Sequence, residues 1–365
     1  MAQVDGCEQR DGGRKRLSLS LYAEDLEIAC SCGARWDVLD GSTVGISGAT
    51  GMVGTFLTDV LMRKRLVDGL DVRVLALGRD ERRARGRLPY FGEPGFSFEE
   101  MDVSVPGARP VLGADVVIHL ASTTHPLAYA TQPVGTITSN VTGLQNLLEW
   151  QLASSGASGR FLFASSVEVY GQNRGDVERF DESYCGYLDC NTMRAGYPEA
   201  KRLGEALCQA YAAERGARVY VPRLPRIYGP TLLPSDTKAL SQFLHKAVLG
   251  EDVVLKSEGL QTYSYLYVAD AVSALLWVLT RGKAGVAYNA ADARSDVALR
   301  DLAALVAQAG GGKVVFELPD EVERAGFSTA TKALLDPSRL QALGWQAHYA
   351  IDEGVRRTVS MLRCP

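Results

Sequence analysis

Residues 43–61 place a short apolar run, a spaced set of glycines and a helical apolar pattern in one order that few folds accommodate. Thr43-Val-Gly-Ile46 reads as a strand, Gly48-Ala-Thr-Gly-Met-Val-Gly54 as a tight turn, and Phe56, Leu57, Val60 and Leu61 recur at helical spacing. A backbone without Cβ atoms can turn sharply and approach a diphosphate, whose charge the amides and dipole at the helix start would meet. Gly48, Thr50, Gly51, Met52, Val53 and Gly54 are therefore the candidate cofactor cradle. Their spacing is Gly-x-x-Gly-x-x-Gly rather than Gly-x-Gly-x-x-Gly, and it is the strand before and the helix after that give the triplet weight.

Downstream the pattern repeats. Strands are expected at residues 72–77, 116–120, 160–164 and 217–223, with helices over 52–65, 134–152 and 197–215. That alternation implies an α/β fold with a doubly wound parallel sheet. Residues 1–20 are polar with little periodicity and read as a disordered tail. Residues 21–40, with Leu26, Ile28, Ala29, Trp36 and Leu39, read as a helical extension packed on the body.

Composition narrows the function classes. The chain has 365 residues, 46% hydrophobic and 22% charged, enough to bury a large core. A net charge of -4 offers no general attraction for nucleic acid, and no nucleic-acid partner is expected. No apolar run reaches the ~18 residues that span a bilayer, and the first residues lack a signal peptide's apolar stretch, so a cytoplasmic protein without a membrane partner is expected. Seven cysteines, Cys7, Cys30, Cys32, Cys185, Cys190, Cys208 and Cys364, are odd in number and scattered, unlike a disulfide framework. His119, His125, His245 and His348 are dispersed, and no metal site is expected. His119, in an apolar strand, reads as structural or cofactor-lining.

Tyr197 and Lys201 are four apart and share one face of a helix, so the ammonium can sit beside the phenol and favour phenolate. A free tyrosine has a pKa of about 10, and a neighbouring lysine and a bound nicotinamide cation would bring it toward a useful range for a general base. Ser166 would hydrogen-bond the same substrate hydroxyl. Tyr-x-x-x-Lys alone is also a common surface pair, and its value here comes from the glycine turn upstream.

Several motifs then occur in order: Gly48-x-x-Gly51-x-x-Gly54, Asp102-Val103, His119-Leu-Ala-Ser122, Asn140-Val-Thr-Gly-Leu-Gln-Asn146, Ser165-Ser-Val-Glu-Val-Tyr-Gly171, Tyr197-x-x-x-Lys201, Arg223-Leu-Pro-Arg-Ile-Tyr-Gly-Pro230, Tyr267-Val-Ala-Asp270 and Leu343-Gly-Trp345. Together, over residues 42–362, they resemble the extended short-chain dehydrogenases/reductases, the group of nucleotide-sugar epimerases, dehydratases and decarboxylases. The resemblance implies a Rossmann cofactor domain over 41–222 and a smaller, mixed α/β substrate domain over 223–365, with 264–290 returning to the Rossmann domain. It implies a tightly bound NAD recycled in each turnover, a nucleotide-diphosphate sugar as substrate and a helix-paired homodimer. Arg79, Asp102, Val103, Leu120, Ala121 and Ser122 would join the glycine turn, Tyr197 and Lys201 at the cofactor. Thr124, Ser166, Val167, Glu168, Arg226 and Tyr263 would meet the substrate, and Ser166, Glu168, Tyr197 and Lys201 would be catalytic.

Within that group, residues 184–202 are similar to the stretch around the catalytic helix of UDP-glucuronate decarboxylases. The 4,6-dehydratases carry Asp where this chain has Val167, which disfavours dehydration. The group usually has Asn at Arg226 and Arg at Tyr263. Arg226 is therefore expected to pair with the substrate's diphosphate or an acidic group on its sugar, while Tyr263 gives a neutral hydrogen bond or stacks on the ligand. Alternatively Lys238, Lys246 or Lys256 holds the diphosphate. Epimerisation, which asks for the fewest specialised residues, is placed first, a decarboxylase or dehydratase second, and a non-catalytic dinucleotide sensor last. The second strand ends Gly78-Arg79-Asp80, without an acidic residue at the usual strand end, so Arg79 could accept the 2′-phosphate of NADP unless Asp80 reaches the ribose instead; the resemblance implies NAD, with NADP as the alternative.

Overall fold

The computed structural model describes residues 13–122, 124, 129, 131–317 and 330–364. Four of the five residues in strand β1 (Thr43–Ser47) are buried, as a strand covered on both faces requires. The main sheet also contains β2 (Arg73–Gly78), β3 (Phe96–Glu100), β4 (Val116–His119), β5 (Arg160–Phe163), the two-residue β6 (Ser165–Ser166), β7 (Val219–Leu224) and β11 (Ala287–Asn289). Its order is β3-β2-β1-β4-β5-β7-β11, with β6 beside β7, and every pairing is parallel. Val44 lies opposite Val74 on one side and Val116 on the other. The order reverses between β1 and β4, and in such sheets ligands bind in the crevice beyond the carboxyl ends at that point. The doubly wound parallel sheet expected from the alternation is thus present.

Helices α1 (Ser20–Cys30), α2 (Met52–Leu66), α3 (Glu81–Arg87), α4 (Pro133–Ser155), α5 (Gly196–Arg215), α6 (Ala239–Val248), α7 (Val268–Arg281), α8 (Leu299–Gly310), α9 (Ser338–Gln341) and α10 (Ile351–Arg363) complete the main elements. Alternation along the strands divides the core in two. Ile46, Val74 and Ile118 pack with Phe56 and Val60 of α2 and Leu275 of α7, while Leu75, Val117 and Phe161 pack with Leu144 and Leu148 of α4 and Cys208 of α5. Each such fully buried leucine contributes about 1.5–3 kcal/mol.

The second unit is built on β8 (Arg226–Tyr228), β10 (Thr262–Tyr267), β12 (Asp296–Ala298) and β14 (Lys332–Ala333), all pairing with β10, and on β9 (Val253–Leu255) beside β13 (Val314–Phe316). Helices α6, α8 and α10 pack against one another over these strands. The chain leaves it through β10, whose residues pair in the small sheet, before α7 reaches the main core and β11 pairs β7. No helix among the described residues is long and apolar enough to cross a membrane.

The expected tail over residues 1–20 needs correction where it is described. Residues 1–12, with Cys7, lie outside the described residues, as does His125. From residue 13 the chain is helical and held to the body: Arg16 donates to both carboxylate oxygens of Asp59 at 2.9 and 3.1 Å and to the Arg87 carbonyl at 2.9 Å. Tyr22 and Tyr90 also donate to Asp59, which is completely buried. Burial pushes the Asp59 carboxyl up and these three donors oppose that push. Polarity alone read as disorder because the partner that orders Arg16 lies on α2, 43 residues away. Strand β3 and helix α3 were not anticipated either; β3 is short and at the sheet edge, and Asp80 caps α3 by accepting from the Arg83 amide at 2.9 Å.

Candidate active site

Gly48 has φ +72°, and a Cβ there would lie 2.8 Å from the Ala121 nitrogen. A Cβ at Gly54 would lie 2.2 Å from the Gly48 carbonyl oxygen. Gly51, at the N-cap of α2, donates its amide to that same oxygen at 2.9 Å. The first amides of α2, at residues 52–54, have no carbonyl one turn behind them and are available to an anion. The turn therefore fits a dinucleotide's diphosphate, with Leu120, Ala121 and Ser122 from the end of β4 as its opposite wall. His119 lines the same wall from within: its Nδ1 is 2.7 Å from Ser47 Oγ, and burial, then Lys201, pushes its pKa down to about 3, so the ring is neutral.

At the far end of the cradle Arg79 is exposed, and Asp80 spends its carboxylate on the cap of α3. Glu100, opposite Gly78 in the β2–β3 register, accepts from the Glu81 amide at 2.9 Å. Sequence reasoning passed over Glu100 because β3 was not recognised. Asp102 accepts from the Ser104 amide and hydroxyl at 2.9 and 2.6 Å; burial opposes its ionisation, but these bonds and Arg79 hold its carboxyl below the usual range. The Val103 carbonyl is fixed by Asn146 Nδ2 at 2.9 Å.

Ser166 and Tyr197 meet where β6 and α5 converge. Burial pushes the Tyr197 phenol up to about 12; hydrogen bonds to Ser166 and Ser122 and the Arg194 charge act downward, and Glu168 acts upward. Lys201, one turn along α5, donates to the Ala164 carbonyl at 2.9 Å, and its Nζ is 4.7 Å from the Phe163 ring centre and 5.8 Å from that of Tyr197. Burial pulls its pKa down to about 8. Ser166 Oγ accepts from the Glu168 amide at 3.3 Å, and Val167 between them is buried. Ser166, Glu168, Tyr197, Lys201 and Ser122 are thus brought together.

Two residues at this site were given no role in the sequence. Arg194 Nη2 donates to Glu168 Oε1 at 3.0 Å, and its Cζ lies 4.7 Å from the Tyr129 ring centre. Tyr129 stacks on Tyr197 with ring centres 5.0 Å apart and planes 23° apart. The only signal available for Arg194 was its place one helical turn before Tyr197.

The opposite wall carries charge. Lys238 Nζ donates to Thr124 Oγ1 at 3.3 Å and to Asp236 at 3.1 Å, whereas Lys246 is paired with Glu251 on the exposed side of α6. Arg226 begins β8, two residues beyond Leu224, which pairs with Ser166. Its Cζ lies 3.4 Å from the centre of the Tyr263 ring, and its Nη1 is buried without a partner. Tyr263 donates its hydroxyl to the Ala330 carbonyl at 2.7 Å. A cation thus lies over the Tyr263 ring, as an aromatic face favours.

Comparison with known proteins shows the family. The model of the NAD dependent epimerase/dehydratase family matches residues 44–291. UDP-glucuronic acid decarboxylase 1 of Xenopus tropicalis is 30% identical over 328 residues, 89% of this chain and 73% of its own length. UDP-glucuronic acid decarboxylase 3 of Arabidopsis thaliana is 30% identical over 240 residues, 66% of this chain and 67% of its own. Among solved structures, dTDP-glucose 4,6-dehydratase of Streptomyces venezuelae superposes with a TM-score of 0.74 at 22% identity, covering 88% of this chain and 97% of that one. UDP-glucose 4-epimerase of Thermotoga maritima gives 0.72 at 21% identity, covering 88% and 98%. At such identities the structures establish the fold.

The buried ammonium yields a prediction. The folded pKa of Lys201 is depressed to about 8 from 10.5, so between those values the unfolded chain holds a proton that the folded one has released. Stability therefore rises with pH in that window. Urea unfolding should show wild type gaining about 1–3 kcal/mol relative to Lys201→Met between pH 8 and 10.5. A difference that is flat or falls with pH would contradict it.

Proposed function

From the premise that the chain belongs to the NAD-dependent epimerase/dehydratase family, we propose that it is a nucleotide-sugar epimerase acting through transient oxidation of a sugar carbinol to a ketone. The observation that carries this reading is the buried Tyr197 phenol beside Ser166, Ser122 and Lys201, at the carboxyl-end side of the sheet that also carries the glycine cradle. Tyr197 takes the proton of the sugar hydroxyl, Ser166 holds that hydroxyl in line, and Lys201 lends positive charge beside the phenol. Bound NAD would supply the hydride acceptor and return the hydride in the same turnover. Gly48, Gly51 and Gly54 hold the diphosphate, and Asp102, Val103 and Lys201 orient the two ends. NAD rather than NADP is supported by the family, and the Asp80 and Glu100 carboxylates at the end of β2 would offset the attraction of the exposed Arg79 for a 2′-phosphate.

Return of hydride to the other face of the ketone inverts the carbinol and asks for no further group. Glu168 would take a proton from a carbon beside the ketone if a neighbouring centre is inverted instead. Decarboxylation is a second reading, favoured by the similarity to UDP-glucuronic acid decarboxylases. In either case we assign Arg226 to an oxyanion of the substrate, supported by its buried, unpaired Nη1 and by the Tyr263 ring beneath the guanidinium. We also infer a homodimer through α4 and α5, because Val134, Ile137 and Leu203 remain exposed there, whereas Leu144, Leu148 and Tyr211 face the core.

Mass spectrometry and NMR of products from UDP-, GDP-, CDP- and dTDP-sugars test the reaction. Unchanged mass with an altered stereocentre supports the epimerase, loss of carbon dioxide the decarboxylase, and no turnover of any sugar sinks both. We predict that Tyr197→Phe abolishes hydride transfer while retaining fold and NAD binding; near-normal turnover would remove Tyr197 from the mechanism. Arg226→Asn is expected to weaken substrate binding by about 1.5–3 kcal/mol with NAD affinity unchanged. Calorimetry showing full substrate affinity would cancel that assignment. Light scattering should report a dimer at micromolar concentration, and a monomer would refute the α4–α5 pairing.

A further inference from the structure

Arg194 has no part in the proton transfer described above, yet it touches two groups that border it. It lies in the turn Met193–Ala195, which runs directly into α5, so its backbone is set rigidly one turn ahead of Tyr197. Its Nη2 donates to Glu168 Oε1 at 3.0 Å, and its guanidinium lies over Tyr129, whose ring stacks on Tyr197. The ion pair is about three-quarters buried, with side-chain exposures of 25% and 26%, so solvent screens it less than it would a surface pair.

Among the described residues, the groups facing the Tyr197 ring from every packed element are few. Ser166 and Ser122 are neutral hydrogen-bond partners, Tyr129 is the stacking partner, and Lys201, Arg194 and Glu168 carry charge. The Lys201 ammonium is committed to the Ala164 carbonyl. An uncompensated Glu168 would oppose a phenolate at Tyr197, and a guanidinium paired with that carboxylate cancels the opposition and adds attraction of its own. Burial is the largest influence raising the Tyr197 phenol, and Arg194 is among the groups that act against it.

We propose that Arg194 is a positioning residue of the proton-transfer site: it compensates Glu168 and holds Tyr129 flat on Tyr197, setting both the local charge and the ring plane of the base. This rests on the assignment of Tyr197 as the base. A guanidinium suits both tasks, since its planar face can lie on an aromatic ring while an edge nitrogen donates to a carboxylate.

The test is a titration of the NAD-loaded, full-length protein carrying 13C-labelled tyrosine, with the Tyr197 signal identified by its absence from Tyr197→Phe. Arg194→Gln should raise the Tyr197 midpoint by about one unit or more. Arg194→Lys should restore most of the shift, and Arg194→Gln combined with Glu168→Gln should fall between them, because both charges are then gone. A structural role alone would not produce that order. A Tyr197 midpoint unmoved in a folded Arg194→Gln protein overturns the proposal. If that variant does not fold, Glu168→Gln alone must lower the midpoint, and an unchanged value overturns the proposal equally. Turnover by Tyr197→Phe would instead discard Tyr197 as the base while leaving the titration readable, so the two failures are distinct.

Discussion

The rest of the site depends on how closely two strands approach each other. At the end of β1 the chain turns through Gly48, and a methyl group there would meet the backbone of Ala121 at the end of β4. These are the strands between which the sheet order reverses. Because no side chain separates them, α2 starts within reach of the crevice and presents its free amides to it. The same contact brings Ser122 beside Tyr197, so the glycine cradle and the surroundings of the Tyr197 phenol are positioned by one steric condition.

A second constraint is desolvation. Burial pushes the Tyr197 phenol up to about 12 and pulls the Lys201 ammonium down to about 8, both away from their charged forms. A buried acid and base of this kind are silent until local charge is added, and small changes in that charge then have large effects. Arg194 and Glu168 lie where they can make such changes, and His119, kept neutral by burial, does not compete for the proton.

The N-terminal segment ties the two units together by the same physics. Arg16 and Tyr22 converge on Asp59 of α2, and Asp25 of α1 receives Arg357 of α10 and Tyr267 of β10. Both carboxylates are completely buried and each has several donors, which offsets the cost of burying charge. Helix α2 and the last helix of the second unit are thereby joined through α1 rather than only through the segment between β10 and β11.

The sequence by itself determined the parallel sheet, the glycine cradle, and the presence of Ser166, Tyr197 and Lys201 on elements that could converge. Those features follow from local periodicity and from residues whose backbone or side-chain chemistry is special wherever they stand. Tertiary structure alone decided that residues 13–20 are ordered, that Tyr263 carries Arg226 on its face, that Glu100 borders the end of β2, and that Arg194 and Tyr129 surround the phenol. Each of these depends on a partner dozens of residues away or on an unrecognised edge strand, and a polar or aromatic residue reveals its role only once the group that satisfies it has been brought within a few ångströms.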